Sequence, residues 1–187
     1  MANLQLTHAP ILNSSAQLLI LPVNTAGVLL DPVLTRTKSL FPDNYQSYYR
    51  ACRDGNLSVG SCLLHKRLLE QTGLGVSNNG NQPSYIANLV ISNHPYHPAR
   101  SRWLSAALVD LQQQLLPLIR YQGIRRVALL ARPLMFDNLR EHDDAIARSE
   151  NPLPLDWYAD TLPLLTQHLQ GLPKLHIDIH LPKDIAI

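Results

Sequence analysis

Three places in the chain carry side chains able to act on a ligand. Asn24 ends an apolar run and enters the bend Thr25-Ala26-Gly27. A carboxamide offers both a donor and an acceptor, so Asn24 can brace the bend or hydrogen-bond a ligand hydroxyl, and both roles stay open. Gly27, without a Cβ, lets backbone approach a bound molecule closely. The second place is Asn93-His94-Pro95-Tyr96-His97. A histidine exchanges its proton near neutral pH, which suits His97 to general acid or base chemistry; the plainer reading is a solvated or hydrogen-bonded loop histidine. The third is Glu141-His142-Asp143-Asp144. Together with His94 and His97 it offers metal-ligand types, but no second closely spaced pair accompanies them, so the expectation is a solvated acidic loop and no metal. Cys52 and Cys62 lack ligand spacing and are too few for a disulfide framework, so they read as reduced, packed thiols.

These residues need a scaffold, and the apolar patterning supplies one. Short strands are expected at Leu4 to Leu6, Val59 to His65 and Arg126 to Ala131, and a longer one at Tyr85 to Ser92. Ala16 to Val23 does not alternate, which predicts a strand buried on both faces. Pro32 suits the first turn of a helix through Leu40. Asp43 suits the cap of a second helix running to Arg53, with Tyr45, Tyr48 and Tyr49 packing and Asp54-Gly55 stopping it. Leu74 to Pro83 reads as a polar loop turned by Asn78-Asn79-Gly80. Ser101 opens the longest helix, with a leucine stripe, Pro117 inside it and Gly123 as its stop. Asp156 to Leu169 is a further helix ending at Gly171, and Lys174 to Leu181 a last, alternating strand.

Strands alternating with helices after an antiparallel-looking opening section predict an α/β domain with helices on both sides of a mixed sheet. In such sheets ligands bind beyond the carboxyl ends of the strands. Asn24 to Gly27, Asn93 to His97 and Arg132 to Leu155 each follow a strand, so the three predict one shared crevice. The chain's 187 residues with 45% hydrophobic content suit one domain spanning 1–187. A net charge of +2 with 16% charged residues argues against general attraction to nucleic acid. With no basic leader and no apolar run of spanning length, a cytoplasmic protein without a membrane partner is expected.

The order of motifs resembles a macro domain. Pro22-Val-Asn-Thr-Ala-Gly-Val28, Phe41-Pro-Asp-Asn-Tyr45, Tyr49-Arg-Ala-Cys-Arg-Asp-Gly55 and Gly60 are similar to the opening half of that family. The resemblance is to the branch holding the DNA ADP-ribosyl glycohydrolase antitoxins and the terminal ADP-ribose protein glycohydrolase. Ile91-Ser-Asn-His-Pro-Tyr-His97 resembles the branch's Asn-Phe-Pro-Thr-Lys loop, and Leu155-Asp156-Trp157 its Leu-Asp-Trp. The resemblance implies a three-layer α/β/α fold with a mixed central sheet. It also implies ADP-ribose or a related nucleotide as ligand, no cofactor, and nucleic acid as a partner only when ADP-ribosylated. Asn24, Thr25, Gly27, Asn93, Tyr96 and Asp156 become the expected ligand-binding residues, and His97 the catalytic candidate.

Several family features are replaced. The acidic adenine anchor expected fourteen positions before Asn24 falls on Ala9-Pro10. The phosphate-binding Gly-Lys-Gly is replaced by Leu30-Asp31-Pro32, where a carboxylate repels diphosphate and a proline lacks a donor. The second glycine-rich loop is replaced by a glycine-free stretch from Arg132 through Asp144 to Pro154. His97 stands where the branch has a reactive lysine, so the same amine-derived adduct cannot form. Two functions therefore compete: recognition of ADP-ribose or a related nucleotide, with ADP-ribosyl hydrolysis, or a catalytically inactive macro fold binding a protein partner of immunity or anti-defence type through 132–154.

Overall fold

A computed structural model describes residues 1–67, 82–97, 99–135 and 155–187. The expected loop over 74–83 lies largely outside them, as do most of the 132–154 stretch and His142, Asp143 and Asp144. Six strands form one sheet: β1 (Asn3–Thr7), β2 (Leu18–Asn24), β3 (Ser61–Lys66), β4 (Tyr85–Ser92), β5 (Arg126–Leu130) and β6 (His176–His180), in the order β1-β6-β5-β2-β4-β3. β2 runs parallel to both β4 and β5, and β6 parallel to β5 and β1. The expected antiparallel opening is not found. Among the described residues the antiparallel pair is β3 on β4 at one edge, because β1 crosses the sheet to pair with the last strand instead of with β2.

Helices α1 (Pro32–Leu40) and α2 (Pro42–Arg53) cover one face, and α3 (Ser101–Tyr121) with α4 (Leu162–Leu169) the other. The lack of alternation in β2 has its cause here. Leu18 and Ile20 pack toward α3 and α4, while Leu19 and Leu21 pack toward α1, and every residue of β2 is buried. β4 behaves alike: Ala87, Leu89 and Ile91 join the first core and Ile86 the second. The three-layer α/β/α arrangement follows from strands apolar on both sides. Gly55 and Gly123, at the expected helix stops, hold positive φ of 71° and 70°.

Two expectations need correction. Asp43 does not cap α2; Phe41 holds the cap position without a side-chain hydrogen bond, and Pro42 opens the helix. The Asp43 carboxylate, 3% exposed, instead receives Arg67 at 3.0 Å and His65 at 2.9 Å. Arg67 also donates to Gln82 at 2.7 Å and lies over the Phe41 ring at 4.6 Å. Nor is Asp156 to Leu169 one α-helix. Trp157–Thr161 forms a π-wound turn before α4, with Asp156 accepting from the Ala159 N–H at 2.7 Å. Pro163 has no N–H to give the carbonyl of Ala159, which removes the bond that would hold the ordinary α register.

On the α2 face, Asn44 and Asn88 exchange side-chain hydrogen bonds at 3.2 and 2.8 Å, and Asn88 also donates to the Leu63 carbonyl. A buried amide pair of this kind ties α2 to β4 in a single register, since any slip leaves both unsatisfied. Burial alone would raise the Asp43 carboxyl, but hydrogen bonds and charge from Arg67 and His65 outweigh it and hold it below its ordinary value. A carboxyl depressed in the folded state adds stability that is complete above the unfolded value of about 3.9 and is lost as pH falls through the folded value. Acid titration of the melting temperature should therefore show a drop below about pH 4 that shrinks in Asp43→Asn. Asp43→Ala, which leaves the Arg67 guanidinium buried and unpaired, should cost roughly 3–5 kcal/mol in chemical denaturation.

Candidate functional site

The three strands at the centre of the sheet, β4, β2 and β5, are parallel neighbours, so their carboxyl ends leave the same edge side by side. A cleft opens there. Val23, Ile91 and Leu134 give it an apolar lining, and Asn24, Ser92, Asp31, His97 and Arg132 a polar one. Described residues of all three segments expected to share a crevice line it: Asn24 from the first, Pro95 and His97 from the second, and Arg132, Leu134 and Leu155 from the third.

A register shift between Val23 and Asn24 moves the pairing from Val90 to Ser92. That irregularity turns the end of β2 out of the ladder and into the cleft. Asn24 is nevertheless 6% exposed. Its amide donates to the Val28 carbonyl at 2.8 Å, its side-chain oxygen accepts from the Ala26 N–H at 3.0 Å, and its backbone carbonyl receives the Tyr48 hydroxyl at 2.6 Å. Both ends of the carboxamide hold the bend. The amide nitrogen carries a second hydrogen besides the one given to Val28.

The other residues singled out in the sequence divide by position. His97 lines the cleft, and its backbone N–H donates to the His94 carbonyl at 3.0 Å. Thr25 donates to the Asn93 side chain at 3.2 Å, which locks the first bend to the second beside the lining. Gly27, at φ +76°, backs onto α2, where an added Cβ would meet the Tyr49 ring at 3.4 Å. Its conformation shapes the bend, and Val28 rather than Gly27 reaches the lining. Tyr96 is 51% exposed with its ring 5.2 Å from that of His94. His94 Nδ1 accepts from the Tyr96 N–H at 3.2 Å, which places its proton on Nε2 in the neutral ring. Asp156 caps the π-wound turn, and its neighbour Leu155 touches the cleft.

Asp31 and Arg132 are the charges that sequence reasoning left unpaired. Asp31 caps α1 by accepting from the Val33 N–H at 2.9 Å, and its carboxylate lies 3.4 Å from Arg132. The start of α1, where N–H groups and the helix dipole favour an anion, already holds the protein's own carboxylate. Both residues sit just beyond strand ends or at a helix start, the signal by which the pair could have been found. Burial pushes Cys62 up to about 12, with the Asp110 charge adding to it, and burial raises Cys52 as well, so both stay protonated at neutral pH.

No family model matches the sequence. The DNA ADP-ribosyl glycohydrolase of Thermus aquaticus is 32% identical over 108 residues, which is 58% of this chain and 27% of that protein. The enzyme of the same name from Mycobacterium tuberculosis is 25% identical over 119 residues, 64% of this chain and 30% of that protein. The chain thus spans less than a third of the length of these relatives. Among solved structures, the macrodomain of Mycobacterium tuberculosis DarG aligns with a TM-score of 0.72 at 21% identity, over 98% of this chain and 100% of that one. The macrodomain of Thermus aquaticus DarG aligns at 0.69 and 24%, over 97% and 100%. Thermosipho africanus DarTG in complex with ADP-ribose aligns at 0.69 and 23%, over 99% of this chain and 43% of that one. Strand order, cleft and these likenesses agree: the chain folds as a macro domain and is similar to those of the DNA ADP-ribosyl glycohydrolases.

Proposed function

We propose that the cleft binds ADP-ribose or a related nucleotide and that His97 serves hydrolysis of an ADP-ribosyl bond. The observation that carries this reading is the meeting of Asn24 and His97 in one cleft at the joint exit of β4, β2 and β5. The likeness to DNA ADP-ribosyl glycohydrolases supports it. In this reading the second amide hydrogen of Asn24 orients the ribose. Hydrolysis breaks the bond between the anomeric carbon and the leaving base, and water supplies the new oxygen. His97 takes a proton from that water or hands one to the leaving group, a role open to an imidazole without any covalent intermediate. A lysine-type imine adduct has no amine at this position to form it.

Arg132 and Asp31 set the electrostatics of the diphosphate region. Arg132, 44% exposed on its side chain, can reach an incoming phosphate while Asp31 works against it. The net field there is therefore weak, and the affinity for ADP-ribose is set by the sugar contacts and Arg132 together.

ADP-ribose at a hundredfold excess over its dissociation constant should stabilise the protein by ~2.7 kcal/mol. For a domain of this size that is about 5–10 °C in melting temperature. Asn24→Asp, which keeps the acceptor for Ala26 and removes the donor, should abolish the shift; no shift for the wild type at millimolar ADP-ribose sinks the proposal. His97→Ala should retain the shift and lose release of ADP-ribose from ADP-ribosylated DNA. A second test addresses the charges. Asp31→Asn keeps a helix cap and removes the repulsion, so calorimetry should find ADP-ribose bound roughly tenfold more tightly. Equal affinity in that variant means that the phosphates do not lie against Asp31.

A further inference from the structure

The sheet ends in two edge strands, β3 and β1, and the chain treats them differently. At β3 the outward backbone of Cys62 is covered from α3: its N–H donates to the Asp110 carboxylate at 2.8 Å, and its carbonyl accepts from the Gln114 amide at 2.8 Å. Lys66 adds an exposed charge. A covered or charged edge resists the addition of a further strand. Among the described residues β1 carries neither device. The Asn3 N–H donates to the Leu175 carbonyl and the Leu181 N–H to the Thr7 carbonyl, both at 2.8 Å, in a parallel ladder that sets Asn3 against His176 and Thr7 against His180. Alternate residues of such a strand turn their backbone groups to the neighbour. Asn3, Gln5 and Thr7 therefore bond β6, while the N–H and carbonyl groups of Leu4 and Leu6 point away from the sheet. Among the described residues nothing pairs with them. No Lys, Arg, Asp or Glu occurs before Asp31, so the edge also lacks a charged side chain.

We infer that β1 is a self-pairing edge: a second copy of the chain adds its own β1 antiparallel, across a two-fold axis at Gln5, and joins the two sheets into one. The register follows from which groups are free. An antiparallel pair exchanges both main-chain hydrogen bonds only between residues whose N–H and carbonyl groups face each other. An axis at Gln5 sets Leu4 against the partner's Leu6 and Leu6 against the partner's Leu4, which uses every free group of the strand. An axis at Leu4 would instead set Leu6 against the partner's Ala2, whose N–H already donates to the Gln170 carbonyl at 2.9 Å. The side chains agree with this choice. Asn3, Gln5 and Thr7 lie on one face and Leu4 and Leu6 on the other, where both pack at the margin of the main core. In this register leucine meets leucine beside that core, Gln5 meets the partner's Gln5, and Asn3 meets the partner's Thr7. A strand of 5 residues buries less than a standard stable interface, so the pair is weak and forms as concentration rises. β6 and β5 stand between β1 and β2, and the inference does not depend on what the cleft holds.

The test is sedimentation velocity of the 187-residue chain from micromolar to millimolar concentration at low salt, beside hydrogen exchange of its backbone amides. A dimer that grows with concentration is expected, and the Leu4 and Leu6 N–H groups should exchange more slowly as it forms. Gln5→Lys, at an exposed position, sets like charges face to face on the axis and should weaken association roughly fivefold. Gln5→Glu should do the same, and an equimolar mixture of the two variants should associate more tightly than either alone. Gln5→Cys brings two Cα atoms to roughly 4.5 Å, within the range a disulfide spans, so mild oxidation should link the copies through position 5, as read by peptide mapping. All three variants should keep the wild-type melting temperature at the lowest concentration, which separates loss of the pair from loss of the fold. A monomer at every concentration, a dimer indifferent to both charged variants, or the absence of a link through position 5 overturns the inference.

Discussion

Everything at the candidate site depends on β2 being held between two parallel neighbours. Parallel pairing prevents a tight turn between partners, so each strand must return across a face of the sheet, and the helices that carry it back bury both sides. β2 is fully buried for that reason, and its carboxyl end is aligned with those of β4 and β5. An antiparallel neighbour would have sent one of the three loops to the opposite edge. The cleft exists because three consecutive strands of the sheet point the same way.

The sheet edge would be an unshaped groove without the polar ties behind it. Tyr48 reaches from α2 to the Asn24 carbonyl, and Cys52 lies 3.7 Å from the same oxygen. Burial of the Tyr48 hydroxyl, together with its Cys52 neighbour, pushes its ionisation well above the ordinary range, so it remains a donor at every working pH. Thr25 joins the β2 bend to the β4 bend, and the Thr25 N–H donates to the Ser92 carbonyl at 3.1 Å. The two loops facing the pocket are therefore one hydrogen-bonded unit, anchored on α2. A rigid wall of this kind presents polar groups already oriented, which lowers the ordering cost of binding.

Much of this was legible in the sequence, for identifiable reasons. Pro32 and Leu40 bound α1, and Tyr85 and Ser92 bound β4, as expected, because proline placement and two-sided apolar runs are strong local signals. What escaped was set by contacts far apart in sequence. Asp43 reads locally as a cap, yet Arg67 and His65 arrive from β3 and just beyond it to claim the carboxylate, and only the sheet brings them there. The pairing of β1 with β6 rests on residues separated by most of the chain. The π-wound turn at Trp157–Thr161 depends on one missing N–H at Pro163, a signal that reads in sequence as an ordinary first-turn proline.

The charged pair at the cleft raises the sharpest physical question about its chemistry. A helix start is a place of positive potential, and α1 presents it to the cleft, but Asp31 already satisfies it from within the chain. An anionic ligand therefore meets a site whose best donors are taken, and gains only what Arg132 can offer after leaving a 3.4 Å contact with Asp31. The exchange of one anion for another across Arg132 is close to balanced in Coulomb terms, since both partners are carboxylate-like or phosphate-like oxygens at similar range. Binding strength then shifts to groups that do not trade one charge for another: the amide of Asn24, the apolar lining of Val23 and Leu134, and the ring of His97. If ADP-ribose is the ligand, as proposed, a cleft of that design discriminates by the sugar and what is attached to it more than by its phosphates.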